Sequence, residues 1–203
     1  MVSAGALRER VEVLELAETG PGVFAWTPAR RVWARVELDR RSAVYSRLAN
    51  AAPAALLTLR VQDLTPAMAL SWRGRHLAVC GVRLIQPGWL EVRAALLEPA
   101  DCLFRSEGTE HVRDRLNRPA PRVVRTVRCP AVLLEKYAGY AREGAYAQTG
   151  TGAILVVPKT AGEQRVGDTA VLSGPAAGTW EIRAVHLAGA WNNEYEVIRK
   201  EEA

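Results

Sequence analysis

The chain is dominated by short segments in which apolar and charged residues alternate. In residues 10–16, RVEVLEL, valine and leucine alternate with charged side chains except at the adjacent pair Val13 and Leu14. Period-two alternation is typical of a β-strand with one buried face, because successive side chains of a strand point to opposite sides. Residues 19–22, TGPG, supply turn residues, and an extended pattern resumes at 23–26. We therefore predict a β-hairpin at the start of the chain.

Segments of the same kind fill the rest of the first hundred residues, and no long helical period interrupts them. The predicted strands lie at residues 31–38, 56–61, 69–72, 76–84 and 89–96. The sequences WRGR at 72–75 and QPG at 86–88 are predicted turns, since glycine and proline favour tight reversals of the chain. This pattern predicts an all-β fold.

The same order of segments recurs about a hundred residues later, which predicts an internal duplication. The matched segments are VWARVEL (32–38) with CPAVLLE (129–135), LLTLRV (56–61) with ILVVPK (154–159), TPAMALSW (65–72) with RVGDTAVL (165–172), and LEVR (90–93) with YEVIR (195–199). In the remaining strand, three residues of each half match in type and spacing: Leu77, Val79 and Val82 with Trp180, Ile182 and Val185. Shared identities are few, and the common order carries the argument.

Two domains follow from this repeat, at residues 1–99 and 128–203. Residues 100–127 between them are rich in Glu, Arg, Asn and Pro, which predicts an irregular linker or arm with one short helix around Glu110 to Leu116. The predicted core residues are Val36, Leu59, Val79, Val92, Leu133, Leu155, Ile182 and Val197.

The six tryptophans divide into two groups. Three lie within strand patterns and are predicted to pack in the cores: Trp33, Trp72 and Trp180. Three lie near turns and are candidate interface residues: Trp26, Trp89 and Trp191.

The composition, 49% apolar and 24% charged, is that of a globular protein. Residues 1–13 do not resemble a secretory signal, and no segment approaches the roughly 18 apolar residues of a membrane span, so we expect a soluble intracellular protein without a membrane partner. The net charge of +5 comes almost wholly from arginine. An arginine excess indicates a nucleic-acid surface, polar subunit interfaces, or a high-GC coding bias, and the sequence leaves the three open.

The sequence contains no pattern that indicates catalysis. There is no HExxH, CxxC, GxSxG or phosphate-binding loop. The histidines stand alone, at His76, His111 and His186. The cysteines are odd in number and widely spaced, at Cys80, Cys102 and Cys129, and are interpreted as thiols without a disulfide or metal. We predict that the protein is not an enzyme and holds no cofactor or metal.

The first hundred residues follow, in order, a pattern known from a viral family. Its parts are LRERVEVLE (7–15), FAWTPARRVWARVE (24–37), a long loop, LLTLRV (56–61), a TP turn (64–66), WRGRHLAVCGV (72–82) and WLEVRAAL (89–96). This order resembles the head-closure, or stopper, proteins that join head and tail in tailed bacteriophages. The second half resembles the same fold more loosely and lacks the RVEVLEL hairpin.

The resemblance implies a fold of two tandem small antiparallel β-barrels of the SH3-like kind, joined by the irregular linker. It implies a structural virion neck protein, assembled in the host cytoplasm, that forms a ring between portal or adaptor and tail. Such a ring closes the DNA-filled head and offers the tail-docking surface. The implied partners are further copies of the chain, six or twelve in all, the portal or adaptor protein, a tail-terminator or tail protein, and packaged double-stranded DNA contacted without sequence preference.

Two long segments, 39–52 and 137–152, interrupt otherwise short connections and are predicted to project toward the channel or the neighbouring ring. Their candidate contacts to DNA phosphate are Arg40, Arg41, Arg47 and Arg142. Pairing of these arginines with acidic residues of adjacent subunits is the alternative interpretation.

Two other functions stay open. One is a nucleic-acid-binding protein built from tandem barrels, which needs basic and aromatic residues on one strand face. The strand arginines are instead spread over both halves, at Arg35, Arg60, Arg83, Arg93 and Arg183. The other is a tail-terminator or tail-tube component of the same particle.

Overall fold

The chain folds from β-strands, as its alternating pattern predicts. The computed structural model describes residues 4–39, 54–108, 122–135, 152–187 and 189–200. The strands in these ranges are β1 (Glu9–Gly20), β2 (Val23–Asp39), β3 (Ala54–Arg60), β4 (Ala69–Trp72), β5 (Arg75–Gln86), β6 (Trp89–Leu96), β7 (Ala100–Gly108), β8 (Arg122–Glu135), β9 (Gly152–Pro158), β10 (Thr169–Leu172), β11 (Gly178–His186) and β12 (Asn192–Arg199). Three short 3-10 helices lie at Ala4–Ala6, Lys159–Ala161 and Gly174–Ala176.

Most strands of the first half lie where the sequence predicts them, and β4 and β6 have the predicted bounds. One difference concerns residues 23–26 and 31–38, which are parts of a single strand, β2. Residues 27–30 between them also belong to the strand, and the hydroxyl of Thr27 donates a 3.1 Å hydrogen bond to the carbonyl of Glu15 on β1. Pro28, which has no amide hydrogen to donate, follows Thr27 within the same strand.

The chain forms two units. The first contains residues Met1–Ala17 and Ala25–Pro99, and the second contains Glu18–Phe24 and Ala100–Ala203. The tip of the β1–β2 hairpin, Glu18–Phe24, thus belongs to the second unit.

In the first unit the strand order is β1-β4-β5-β6-β3-β2, and β1 also pairs with β2, so the pairings close into a circuit of six strands. The core is formed by the inward-facing apolar side chains of these strands, among them Val11, Val13, Leu57, Leu59, Leu70, Leu77, Val79 and Val92.

The second unit repeats this order. Its strands follow β7-β10-β11-β12-β9-β8, and β8 also pairs with β7, which closes the same circuit of six. Every strand of the first unit therefore has a counterpart six places later. The largest fully buried side chains of the second unit are Phe104, Leu155, Val157, Ile182 and Tyr195.

The registers of the two units also agree. Val36 lies opposite Leu57 across β2 and β3, and their predicted counterparts Leu133 and Leu155 lie opposite each other across β8 and β9. Equal order and equal register support the duplication inferred from the sequence.

A β-bulge provides an independent match. The β5–β6 pairing shifts register between Val79 and Gly81, and the β11–β12 pairing shifts between Ile182 and Ala184. The two bulges lie at the positions that the sequence repeat aligns. Bulges bend and twist a strand locally, so each unit bends β5 or β11 at the same place.

One pair of segments was aligned in the wrong register. Val92 lies opposite Leu57, and Tyr195 lies opposite Leu155, so the counterpart of Val92 is Tyr195. The aligned sequences LEVR and YEVIR suggested Val197 instead. Two residues of slip keep the same face of a strand buried, which is why the period-two pattern alone did not reveal the error.

The prediction of an irregular linker at residues 100–127 is wrong for its described parts. Ala100–Gly108 is strand β7, and β8 begins at Arg122. Cys102 and Phe104 form the buried face of β7 at alternate positions. Two apolar residues before a long polar segment are too few to predict a strand from the sequence. The second unit therefore does contain a counterpart of the β1–β2 hairpin. The helix predicted around residues 110–116 lies outside the described residues.

Six of the eight predicted core residues are buried: Leu59, Val79, Val92, Leu155, Ile182 and Val197. Val36 and Leu133 are half-buried, and Val36 packs against the margin of the core. Trp72 and Trp180 are buried as predicted, but Trp33 is 53% exposed. Its neighbour Ala34 faces the core, and alternation along β2 places Trp33 on the outer side.

Candidate interaction surfaces

The predicted channel-facing arginines lie outside the described residues: Arg40, Arg41, Arg47 and Arg142. Their contact with DNA therefore stays a prediction.

The three candidate interface tryptophans have different environments. Trp26 is half-buried, and its ring centroid lies 5.5 Å from that of His76. Trp89 is only 5% exposed, and the guanidinium of Arg60 lies 4.3 Å from its ring centroid. Trp89 is thus a packing residue of the first unit, and its assignment to an exposed interface is corrected. Trp191 is 43% exposed and stays a candidate.

The strand arginines that the sequence shows as scattered have partners within their own units. Arg83 and Arg183 form ion pairs with Glu91 and Glu181, at 2.7 and 3.2 Å. Arg93 lies 3.9 Å from the carboxylate of Glu91. Arg35 forms an ion pair with Glu37, and the guanidinium of Arg60 lies over the ring of Trp89. The registers place Arg35, Arg60, Arg83 and Arg93 on one face of the first unit, where Glu37 and Glu91 lie among them, so this face carries charges of both signs.

The outer side of β1, β2 and β4 carries a cluster of charges around an exposed aromatic ring. The guanidinium of Arg10 lies 5.4 Å from the ring centroid of Trp33. Arg31 pairs with Glu12 at 2.6 Å across the hairpin. A second pair joins Arg73 and Glu9.

Glu9 is held in its charged form by this second pair. Arg73 and the indole of Trp72 both donate hydrogen bonds to its carboxylate, at 2.7 and 3.1 Å. The bond from Arg73 is the main cause that lowers the pKa of Glu9 below its ordinary value. Glu9 therefore stays ionised and fixes the end of β4 to β1.

A groove of about 560 Å³ lies beside Trp33, and we call it the Trp33 groove. Its lining residues are Leu7, Arg31, Val32, Trp33, Arg60, Val61 and Gln62. Trp33 and Val61 are 53% and 51% exposed, so apolar surface is available to a partner. Sequence reasoning missed the groove because it assigned Trp33 to the core. The pattern RVWARV contained the signal, since Val32, Ala34 and Val36 occupy one face and leave Trp33 on the other.

The hairpin tip is held in the second unit by main-chain bonding. The amide of Arg128 donates a hydrogen bond of 2.8 Å to the carbonyl of Gly22, and Val23 pairs in parallel with Arg128. Gly22 has φ of +69°, and a Cβ there would lie 2.9 Å from the carbonyl oxygen of Thr126. Only glycine fits both the conformation and the close approach.

The side chain of Arg128 is also fixed. Its guanidinium donates hydrogen bonds of 2.6 to 3.0 Å to both carboxylate oxygens of Asp101 on β7. These bonds lower the pKa of Asp101 below its ordinary value. The pair thus holds β7 and β8 together beside the point where the tip is bound.

Cys102 and Cys129 lie directly opposite each other across β7 and β8, and both are fully buried. Burial raises the pKa of Cys129 to about 12 and raises that of Cys102 further. Both sulfurs are therefore protonated core residues at neutral pH.

Within the described ranges, no three His, Cys, Asp or Glu side chains come together as metal ligands. In the same part of the chain, none of the helices has the length and apolar character needed to cross a membrane.

Comparison of the sequence with models of known protein families found no match, and a search among curated proteins found no relative.

Proposed function

We propose that the chain is a structural protein of the tailed-bacteriophage neck, of the head-closure class, which forms a ring between portal or adaptor and tail. The observation that carries this proposal is the repeated unit: two six-strand circuits with the same order, register and bulge. We interpret each circuit as a small SH3-like barrel, because a sheet whose first and last strands pair has no free edge. The order of segments in the first unit resembles that of the head-closure family.

The sizes of the units favour assembly. The units contain 92 and 111 residues, and a domain of that size buries a modest core and gains stability from a partner. Copies of a repeated barrel related by rotation form a closed ring. Six chains would present twelve barrels, which would match a twelvefold portal to a sixfold tail, and twelve chains of two stacked barrels are the rival arrangement.

The proposed ring contacts packaged DNA through segments 39–52 and 137–152, which the sequence analysis predicts to project toward the channel. Arginines there bind phosphate without reading sequence, so the contact would weaken with added salt. The strand arginines described above contact acidic or aromatic residues of their own units, and the arginines of the two segments are the ones that the sequence analysis predicts for this role.

The experiment replaces Arg40, Arg41 and Arg47 together by serine. A control variant with the same loss of charge replaces Arg83, Arg93 and Arg183. We expect both variants to fold, and only the loop variant to yield filled heads that leak DNA or fail to join tails. Loop-variant particles that retain their genome and infect normally would contradict the proposed role of these arginines.

A further inference from the structure

We infer that the Trp33 groove binds an extended acidic segment of another protein, in which an apolar side chain lies between carboxylates. This interaction goes beyond the proposed function, because one chain can bind such a segment without forming a ring.

The centre of the site is apolar and open to solvent. Trp33 and Val61 are 53% and 51% exposed, and half-buried Leu7 and Val32 line the same groove. The groove volume, about 560 Å³, falls in the range of ligand-binding clefts. An apolar side chain that enters the groove therefore removes apolar surface from water on both sides.

An arginine without an acidic partner lies on each side of Trp33. The guanidinium of Arg10 on β1 is 5.4 Å from the ring centroid of Trp33. On the other side, Ala34 lies opposite Leu59, which places Trp33 beside Arg60 on β3. Within the described ranges, neither Arg10 nor Arg60 forms an ion pair with a carboxylate. Both are exposed, so both are available to an acidic partner.

The two arginines retain their capacity to bind carboxylates. Arg10 lies near the ring of Trp33, and the guanidinium of Arg60 lies 4.3 Å from the ring centroid of Trp89. Contact with an aromatic ring does not use the hydrogen-bond donors of a guanidinium, whose planar fork matches a carboxylate. Because β1 and β3 lie on either side of β2, the two arginines belong to strands about 10 Å apart. The site thus offers two cationic groups with apolar surface between them.

The positive surface extends beyond the groove. A smaller depression of about 230 Å³ adjoins it, and Arg31 lines both. Arg10 and Arg73 also line the depression. Arg31 and Arg73 are paired with Glu12 and Glu9, so the net positive charge of this surface comes from the two arginines beside Trp33.

The two glutamates favour a peptide over a nucleic acid. Glu12 lines the depression, and Glu9 stays ionised beside Arg73, so negative charge lies among the arginines. A single-stranded nucleic acid carries a phosphate at every nucleotide, and some of these phosphates would approach the glutamates. A peptide can instead place carboxylates only where the arginines are and an apolar side chain at Trp33. This complementarity points to an acidic peptide segment as the occupant.

The test measures binding of a labelled synthetic peptide to the full-length protein by fluorescence anisotropy. The peptide has a central leucine with glutamates on both sides. Two companion peptides replace either the glutamates by glutamine or the leucine by serine. The parent peptide should bind at one site per chain and more tightly than either companion. Added salt should weaken its binding, because exposed charges are screened.

Two variants remove the two parts of the site. Trp33→Ala removes the apolar centre, and the double variant Arg10→Gln with Arg60→Gln removes the free positive charge. Each should weaken binding of the parent peptide by about tenfold or more. Circular dichroism checks the fold of each variant. Val61→Ser replaces the first variant if it does not fold, and Arg10→Gln alone replaces the second.

Matched controls make the same changes in the second unit. Trp191→Ala removes a tryptophan that is 43% exposed. The double variant Arg105→Gln with Arg183→Gln removes the same charge from exposed strand positions. Both controls should bind the parent peptide as the wild type does.

A wild type that does not bind the parent peptide would overturn the inference, and so would equal binding by the wild type and both site variants. Oligothymidylate that binds at Trp33 more tightly than the peptide would assign the groove to single-stranded nucleic acid instead. Self-association that requires Trp33 and excludes the peptide would assign it to a second copy of the chain. Either result would overturn the inference as well.

Discussion

The main-chain amide of Arg128 donates a 2.8 Å hydrogen bond to the carbonyl of Gly22, which places the tip of the β1–β2 hairpin in the second unit. Residues 18–24 are thus distant in sequence from the unit that they complete. The bond occurs where the Cβ of any larger residue would press on Thr126.

Replacement of Gly22 by alanine should loosen the tip. Positive φ costs a non-glycine residue about 1–2 kcal/mol, and the contact with Thr126 adds to this. Gly74 is a matched control, because its φ is +76° but nothing lies within 4 Å of a Cβ there. Amide hydrogen exchange at Arg128 should accelerate in Gly22→Ala and stay unchanged in Gly74→Ala. Equal exchange in the two variants would show that the close approach is unimportant.

The equivalence of the two cores predicts equal sensitivity at equivalent positions. Leu57 and Leu155 are fully buried at the same place in each unit. Each leucine-to-alanine variant should lower the free energy of unfolding by about 2–5 kcal/mol. Exposed Leu84, changed in the same way, should cost within about 0.5 kcal/mol. Urea titration followed by tryptophan fluorescence measures all three, and a neutral effect at either core position would contradict the assigned cores.

Thiol reactivity should separate the three cysteines. Cys102 and Cys129 are fully buried with raised pKa values, so they should not react with a disulfide reagent at pH 8 while the protein is folded. Half-buried Cys80 is the residue expected to react. In Cys80→Ser, the number of thiols that react in the folded protein should fall to zero. All three should react in concentrated guanidinium chloride. Rapid labelling of a second thiol in the folded protein would contradict the buried β7–β8 pair.

The same two thiols give a pH dependence of known sign. Their folded pKa values lie above those of unfolded thiols, about 8.5. Above that pH the unfolded chain loses protons that the folded chain retains, so stability falls as pH rises. Replacing both cysteines by alanine should flatten the alkaline fall in the free energy of unfolding, and an unchanged slope would assign it to other groups.

Asp101 should show the opposite behaviour in acid. Hydrogen bonds from Arg128 lower its pKa, so its contribution to stability is present above the unfolded pKa and is lost as pH falls through the folded value. The pair is largely exposed, and its contribution should be below about 1 kcal/mol. Carboxyl NMR should give a midpoint under the ordinary 3.8. Arg128→Met should raise that midpoint and Arg83→Met should not, and insensitivity to Arg128 would refute the assigned cause.

Period-two alternation predicted the strands and the repeat, because a strand with one buried face has apolar residues at alternate positions of its sequence. It placed Leu59 and Leu155 in the cores correctly, yet it slipped by two residues at Tyr195, since a slip of two preserves the buried face. It missed β7, whose two buried residues, Cys102 and Phe104, are too few to stand out before a long polar stretch.

The candidate site was harder to predict than the fold. Trp33 is apolar, and hydrophobicity alone cannot separate an outward tryptophan from a core one. The bond between Gly22 and Arg128 joins backbone atoms that are distant in sequence, so no side-chain pattern records it. Both features depend on which strands lie beside each other in the fold.

The central claim is that copies of this duplicated chain close into a ring. Native mass spectrometry of the purified full-length protein, with negative-stain images of the same sample, tests it most directly. The account predicts one dominant species of six or twelve chains with a central hole. A monodisperse monomer that binds free DNA tightly would contradict it.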